Sequence, residues 1–169
     1  MIILGINYKH GDASACLIKD GKLLSATEEE RFTKIKNYSY FPINSIKYCL
    51  SENNISIDEI NYITVNSNQT YNFLAKIIFA LKNLYNINIF FYFSSFLNNE
   101  KKITALFKLY FDQNISDKII NIPHHLAHAY STLFFLKNTK NSLVFSFDGS
   151  GDFSTIELYL VKQKKLKLL

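Results

Sequence analysis

The chain has 169 residues, one domain of ordinary size, and its 48% share of apolar residue types is enough for a real core. Two cysteines give no disulfide framework, which sets aside the small cross-linked secreted class and suits a reducing, cytoplasmic setting. The net charge of +5 does not make a nucleic-acid surface. Lys162, Lys164, Lys165 and Lys167 crowd the last eight residues, and without them the balance falls to +1.

Taken in chain order, residues 2–7 read as a strand, residues 8–15 as a polar turn of small side chains, and residues 16–19 as a second strand. Asp20-Gly21 closes a hairpin onto a third strand over residues 22–27. The N-terminus carries no basic leader with a 7–15-residue apolar core, so no secretion signal is expected. Arg31, the single arginine, directly follows three glutamates and reads first as a structural ion-pair partner. Pro42 opens a helix to about residue 52 with Ile43, Ile46 and Leu50 on one face. Ser56 and Glu59 have capping-box spacing ahead of a strand over residues 62–65. Helical patterns cover residues 70–85 and 99–111. Between them, the aromatic run 87–97 is about half the ~20 residues a membrane-spanning helix needs, and it reads as a buried helix or lobe interface. Residues 118–122 form a strand that leads through Pro123 into a further helix. Strands alternating with helices after an antiparallel start define an α/β layered fold.

That last helix holds three of the four histidines, His124, His125 and His128. Its apolar stripe is expected to be Leu126, Ala129, Tyr130, Leu133 and Phe134. His124 and His128 are four residues apart, so their imidazoles stand one turn apart on roughly the opposite face. Such a pair offers two nitrogen ligands to a first-row divalent metal and leaves positions open for a carboxylate and a substrate. A pair of solvated or core-satisfied histidines is the alternative.

Residues 143–147 read as a buried strand ending in Asp148-Gly149-Ser150-Gly151-Asp152, followed by a second β-rich run over residues 155–161. Strand, glycine-rich turn and strand have the shape of a phosphate-cradling hairpin, with Gly149 and Gly151 permitting positive φ and Asp152 closing the loop. An ordinary tight hairpin is equally compatible with the local pattern. Asp148, at the strand end, is placed to hold a metal.

The motifs G-I-N-x-x-H-x-D-A-S-A, D-G-x-L-x-x-A-x-E-E-x-R-F, F-P, H-H-L-A-H-A and D-G-S-G-D occur here in one order. Together they resemble the N-terminal part of the O-carbamoyltransferases of antibiotic and nodulation-factor biosynthesis, and the resemblance extends to about Val161. The opening three strands likewise resemble the start of a lobe in the actin/hexokinase-like (ribonuclease H-like) ATPase superfold. The resemblance implies the first lobe of that fold plus the opening hairpin of the second over residues 1–161, followed by a basic tail over residues 162–169. It also implies similarity to the threonylcarbamoyl-adenylate-forming tRNA-modification proteins.

The same resemblance implies a chemistry. Carbamoyl phosphate and the co-substrate ATP yield a carbamoyl-adenylate, whose carbamoyl group passes to the hydroxyl of a small-molecule acceptor. The family's metal ligands fall on His124, His128 and Asp148, with a further acidic ligand beyond Leu169. Two histidines and a carboxylate suit iron, and also manganese or zinc. His10 matches the histidine expected near the acceptor hydroxyl as general base, and Lys36 the lysine expected on carbamoyl phosphate. Asn37 stands where the family often has histidine, and Lys34 where arginine is common. Because the family is much longer, the resemblance implies a missing second lobe and no full catalytic cycle from this chain alone. The other readings are a non-catalytic metal- or ligand-binding remnant, a subunit that pairs with a separately encoded second lobe, and a sugar-kinase-like ATPase. Neither nucleic acid nor a membrane is an expected partner.

Overall fold

The computed structural model describes residues 1–83, 99–136, 142–163 and 165–169. The aromatic run over residues 87–97 and Lys164 lie outside the described residues. The chain divides into two compact units.

The first unit is built on a five-stranded mixed sheet. Strands β1 (Ile2–Asn7), β2 (Ser14–Lys19) and β3 (Lys22–Glu28) form an antiparallel meander, and β4 (Tyr62–Val65) and β5 (Ile119–Asn121) run parallel to β1. The spatial order is β3-β2-β1-β4-β5. In β1 the side chains alternate, so Ile2, Leu4 and Ile6 enter the core from one face. Helix α2 (Ile43–Ser51) contributes Ile46, Cys49 and Leu50 to that core, as its 3.6-residue period requires. The 3₁₀ turn Ile57–Glu59 carries the expected capping box, with Glu59 Oε2 accepting from the Ser56 N–H at 2.8 Å.

Glu29, between β3 and the short helix α1 (Glu30–Thr33), is only 1% exposed. Its carboxylate accepts the backbone N–H of Asn44 at 3.1 Å and of Ser45 at 2.8 Å, together with both of their side chains. Two orphan amides in the first turn of α2 are thereby satisfied by a buried anion at the positive end of the helix. Neighbouring Arg31 pairs with Glu28 at 3.0 Å, as expected of a structural ion pair.

The second unit contains α3 (Phe73–Lys82) and a three-stranded antiparallel sheet of β6 (Leu143–Gly151), β7 (Ser154–Lys162) and β8 (Lys165–Leu168). The histidine helix, here α5 (His124–Phe135), packs on β6 and β7. In the first unit α4 (Asn99–Phe111) buries Ile103 and Phe107 fully. Residues 165–168, expected as part of a basic tail, pair with β7, and alternation of Lys with Leu turns Leu166 onto the second unit's core.

Three local expectations are corrected. The run over residues 143–147 is not buried on both faces, because α5 covers only one: Val144 and Ser146 are buried, whereas Leu143, Phe145 and Phe147 are exposed. On α5, Ala129, Leu126 and Leu133 meet the core, but Tyr130 and Phe134 are each 43% exposed; the inward face instead carries His124 and His125. The hairpin turn is not made by Gly149 and Gly151. It is the two-residue turn Asp152-Phe153, with φ of 51° and 66°. A phenylalanine in the left-handed region costs about 1–2 kcal/mol relative to glycine, so contacts elsewhere must hold it there.

Candidate metal centre

His124, His128 and Asp148 converge within the second unit, each offering one ligand atom, with all three atoms inside 4.8 Å of one another. His124 Nε2 stands 2.6 Å from Asp148 Oδ2 and 3.1 Å from His128 Nε2, and His128 Nε2 is 3.6 Å from Asp148 Oδ2. Helix geometry places the two histidines one turn apart, and packing of α5 on β6 brings in the aspartate from 24 residues away. His124 is buried, Asp148 half-buried and His128 exposed, so the cluster opens to solvent on one side.

The donor set fits a divalent ion. Ligand atoms about 2.1 Å from one ion in tetrahedral or octahedral geometry stand roughly 3.0–3.4 Å apart, and the three separations bracket that range. Three lone-pair-bearing atoms this close repel unless a proton or a cation lies among them. The His124 hydrogen bond, then the Gly149 N–H at 2.6 Å, hold the Asp148 carboxyl below its usual range. Partial desolvation, then the neighbouring His124, lowers the His128 pKa, which favours the neutral, ligating form.

His125 is excluded as a ligand by its own bonds. Its Nε2–H donates to the Ser154 carbonyl at 3.0 Å, which leaves Nδ1 to accept from the Ser146 hydroxyl at 2.8 Å. Both ring nitrogens are spent inside the sheet–helix interface.

Gly149 lies in β6 next to Asp148, with open space where a Cβ would go. At Gly151 a Cβ would come within 2.1 Å of the His124 ring, so this position is bare because the imidazole packs on it. The Asp152 carboxylate accepts the N–H groups of His124 and Asn68 at 2.9 Å each and the Ser67 hydroxyl at 3.1 Å. Occupied in this way, and negatively charged, it is a poor lining for a phosphate. The adjoining Phe153 ring packs edge-on against Phe79 at 5.5 Å, with the Lys76 ammonium 5.9 Å from its centroid.

His10 and Lys36 belong to the first unit. His10 lies on the β1–β2 loop, which is wrapped around the Asn7 side chain: its amide donates to the carbonyls of Gly11 and Asp12 at 2.9 Å, and Asn66 donates to its oxygen at 2.9 Å. The same loop is bonded to the segment just after Lys36, through Lys9 N–H to Ser39 O at 3.0 Å and Ala13 N–H to Tyr38 O at 2.7 Å. The fold therefore brings the loops of His10 and Lys36 side by side. Lys36 itself is exposed. Reading the sequence alone missed Asn7, Glu29 and the capping role of Asp152; the G-I-N and E-E-x-R-F motifs contained the first two but not their partners.

The antiparallel meander extended by two parallel strands is that of the actin/hexokinase-like (ribonuclease H-like) fold. YeaZ from Pseudomonas aeruginosa matches it with a TM-score of 0.52 and 9% identity, over 99% of this chain and 64% of that one. Residues 2–168 match the family model described as carbamoyltransferase N-terminus, and the chain belongs to that family. An uncharacterized protein of Synechocystis sp. is 30% identical over 167 residues, covering 93% of this chain and 27% of its own. Nodulation protein NolNO of Sinorhizobium fredii is 27% identical over 147 residues, covering 85% of this chain and 20% of its own. The chain thus spans about a quarter of the length of the curated relatives it matches. Among the described residues, no helix is long and apolar enough to cross a membrane.

Proposed function

We propose that the chain serves a carbamoyltransferase: carbamoyl phosphate loses inorganic phosphate to water, the resulting carbamate displaces pyrophosphate from ATP to give a carbamoyl-adenylate, and the carbamoyl group passes from there to a hydroxyl of a small-molecule acceptor. Family membership over residues 2–168 supports the reaction class. The convergence of His124, His128 and Asp148 is the single observation that carries the site.

In this reading His124, His128 and Asp148 hold a divalent ion, with iron, manganese and zinc all compatible with the donors. Such an ion would supply positive charge that stabilises negative charge on phosphate oxygens. His10 accepts the proton of the acceptor hydroxyl as its oxygen attacks the carbamoyl carbon. The carbamoyl–adenylate bond then breaks and AMP leaves. Asn7 holds the His10 loop in place for that step. Lys36, on the adjoining segment, neutralises charge on carbamoyl phosphate.

The test is ATP-dependent consumption of carbamoyl phosphate, followed as pyrophosphate release, by the purified chain and by any longer protein that carries it. His10→Asn is expected to leave pyrophosphate release intact and to stop transfer to the acceptor. Loss of both steps would remove His10 from the role of base. A protein that binds metal but consumes no carbamoyl phosphate would favour a non-catalytic metal- or ligand-binding role.

A further inference from the structure

The tip of the β6–β7 hairpin is fastened more heavily than a two-residue turn requires. Asp152 joins three parts of the second unit. Its Oδ2 accepts the N–H of His124, the first residue of α5, and that of Asn68; its Oδ1 accepts the Ser67 hydroxyl. Its own carbonyl accepts from the Asn72 side chain at 3.1 Å. One residue earlier, Gly151 lies against the His124 side chain with no room for a Cβ. Four residues earlier on the same strand is Asp148, the acidic member of the metal cluster.

We infer that Asp152 is a positioning residue for the metal centre: by capping α5 at His124, it sets how far the two histidines stand from Asp148. The inference rests on the metal reading given above and adds a residue outside the donor set. Three features support it. The bond from His124 N–H to Asp152 and the bond from His124 Nε2 to Asp148 tie one residue of α5 to the same strand and turn at two points. Gly151 adjoins these two points with bare backbone, close enough to the His124 ring that a Cβ would displace it. The strained left-handed Phe153 persists because Asp152 on one side and Phe79 on the other fix the turn. A hairpin that only reversed the chain would need none of these.

The test uses Co²⁺ as probe on the whole chain, with visible absorption for ligand geometry and titration for affinity. Asp152→Ala is expected to weaken Co²⁺ binding about 10- to 100-fold and to change its absorption bands while the far-ultraviolet circular dichroism stays native. Asp152→Asn, which keeps one acceptor oxygen, should recover most of the affinity. Gly151→Ala should change the bands in the same sense by displacing the His124 ring. Imidazole nitrogen resonances give a readout free of metal: Asp152→Ala should shift those of His124 and His128 and leave that of His10 unmoved. Wild-type affinity, bands and resonances in Asp152→Ala would overturn the inference. Should the unsubstituted chain bind no Co²⁺, the metal reading fails on its own, and the resonances still decide whether Asp152 positions the histidines.

Discussion

Oε2 of Glu29 accepts two hydrogen bonds from one residue, the backbone N–H and the hydroxyl of Ser45, each at 2.8 Å. A buried carboxylate with all its bonds directed at one helix start is stabilising only while those partners are present. Removing it leaves the Asn44 and Ser45 amides without their acceptor in the core of the first unit. Glu29→Ala is therefore expected to destabilise the chain by about 2–4 kcal/mol. Glu30→Ala, which loses only a surface contact with Arg31 at 3.8 Å, should cost under about 1 kcal/mol. Urea unfolding followed by circular dichroism separates them, and equal midpoints for the two variants would refute the capping role.

The three histidines of α5 should behave as two classes. His124→Ala, His128→Ala and Asp148→Ala each remove one of three donors and are expected to abolish stoichiometric binding of Fe²⁺, Mn²⁺ or Zn²⁺ with little change in fold. His125→Ala should do the reverse. It leaves the Ser146 hydroxyl and the Ser154 carbonyl unpaired in a buried interface, so about 2–4 kcal/mol of stability is lost while one metal per chain is retained. Metal analysis after gel filtration, paired with thermal unfolding, checks both halves. Equal loss of metal from all three histidine variants would sink the division.

What the sequence made legible divides along the range of the contacts involved. Residues 62–65 and 99–111 fold as their local period dictates, and the Asp20-Gly21 turn needs only its own two residues. His124 and His128 were legible as a pair because helical spacing alone stacks them. The D-G-S-G-D segment misled because Asp-Gly is the commonest turn signal, whereas the turn falls at Asp152-Phe153. What selects that turn is Ser67, Asn68 and His124, partners 28 to 85 residues away that no local window contains. Glu29 is hidden in the same way: Glu28, Glu29 and Glu30 are identical in sequence terms, and only the approach of α2 singles out the middle one. The same holds for His125: it and His124 both face the sheet, and only the Ser146 hydroxyl and the Ser154 carbonyl, distant in sequence, take its ring nitrogens out of the donor set.

Tyr71 and Tyr159 both donate to the buried Glu157, Tyr71 at 2.9 Å. Burial first, then the carboxylate, pushes the Tyr71 phenol up to about 12, and the same two causes raise Tyr159 further. A phenol whose pKa is raised on folding favours the native state below the unfolded value near 10, and this contribution is lost as pH rises through the folded value. Of the eleven tyrosines, these two should stay protonated after the exposed ones have ionised, and absorbance at 295 nm should show their titration together with alkaline unfolding. Glu157→Gln should lower the Tyr71 transition toward 10. A single transition near pH 10 for all eleven, with native circular dichroism throughout, would contradict the arrangement.

Gly5 and Cys16 face each other across β1 and β2, and a Cβ on Gly5 would lie 2.8 Å from Cys16 Sγ. The thiol is held there: β1 and β2 are both interior strands of the sheet, and burial already raises its pKa. Gly5→Ala must then displace backbone or sulfur, at a cost of about 1–3 kcal/mol. Cys16→Ala alone removes one half-buried sulfur and costs about 1 kcal/mol or less. In the double variant the new methyl occupies the space the sulfur has left, so the two losses should not add. The coupling expected is 0.5 kcal/mol or more in the favourable direction, roughly the threshold at which neighbouring sites are distinguished from independent ones. Additive losses in a urea double-mutant cycle would mean that the β1–β2 pair absorbs the methyl elsewhere, for instance toward Thr64 Oγ1 at 3.4 Å, and that the glycine is not there to accommodate the sulfur.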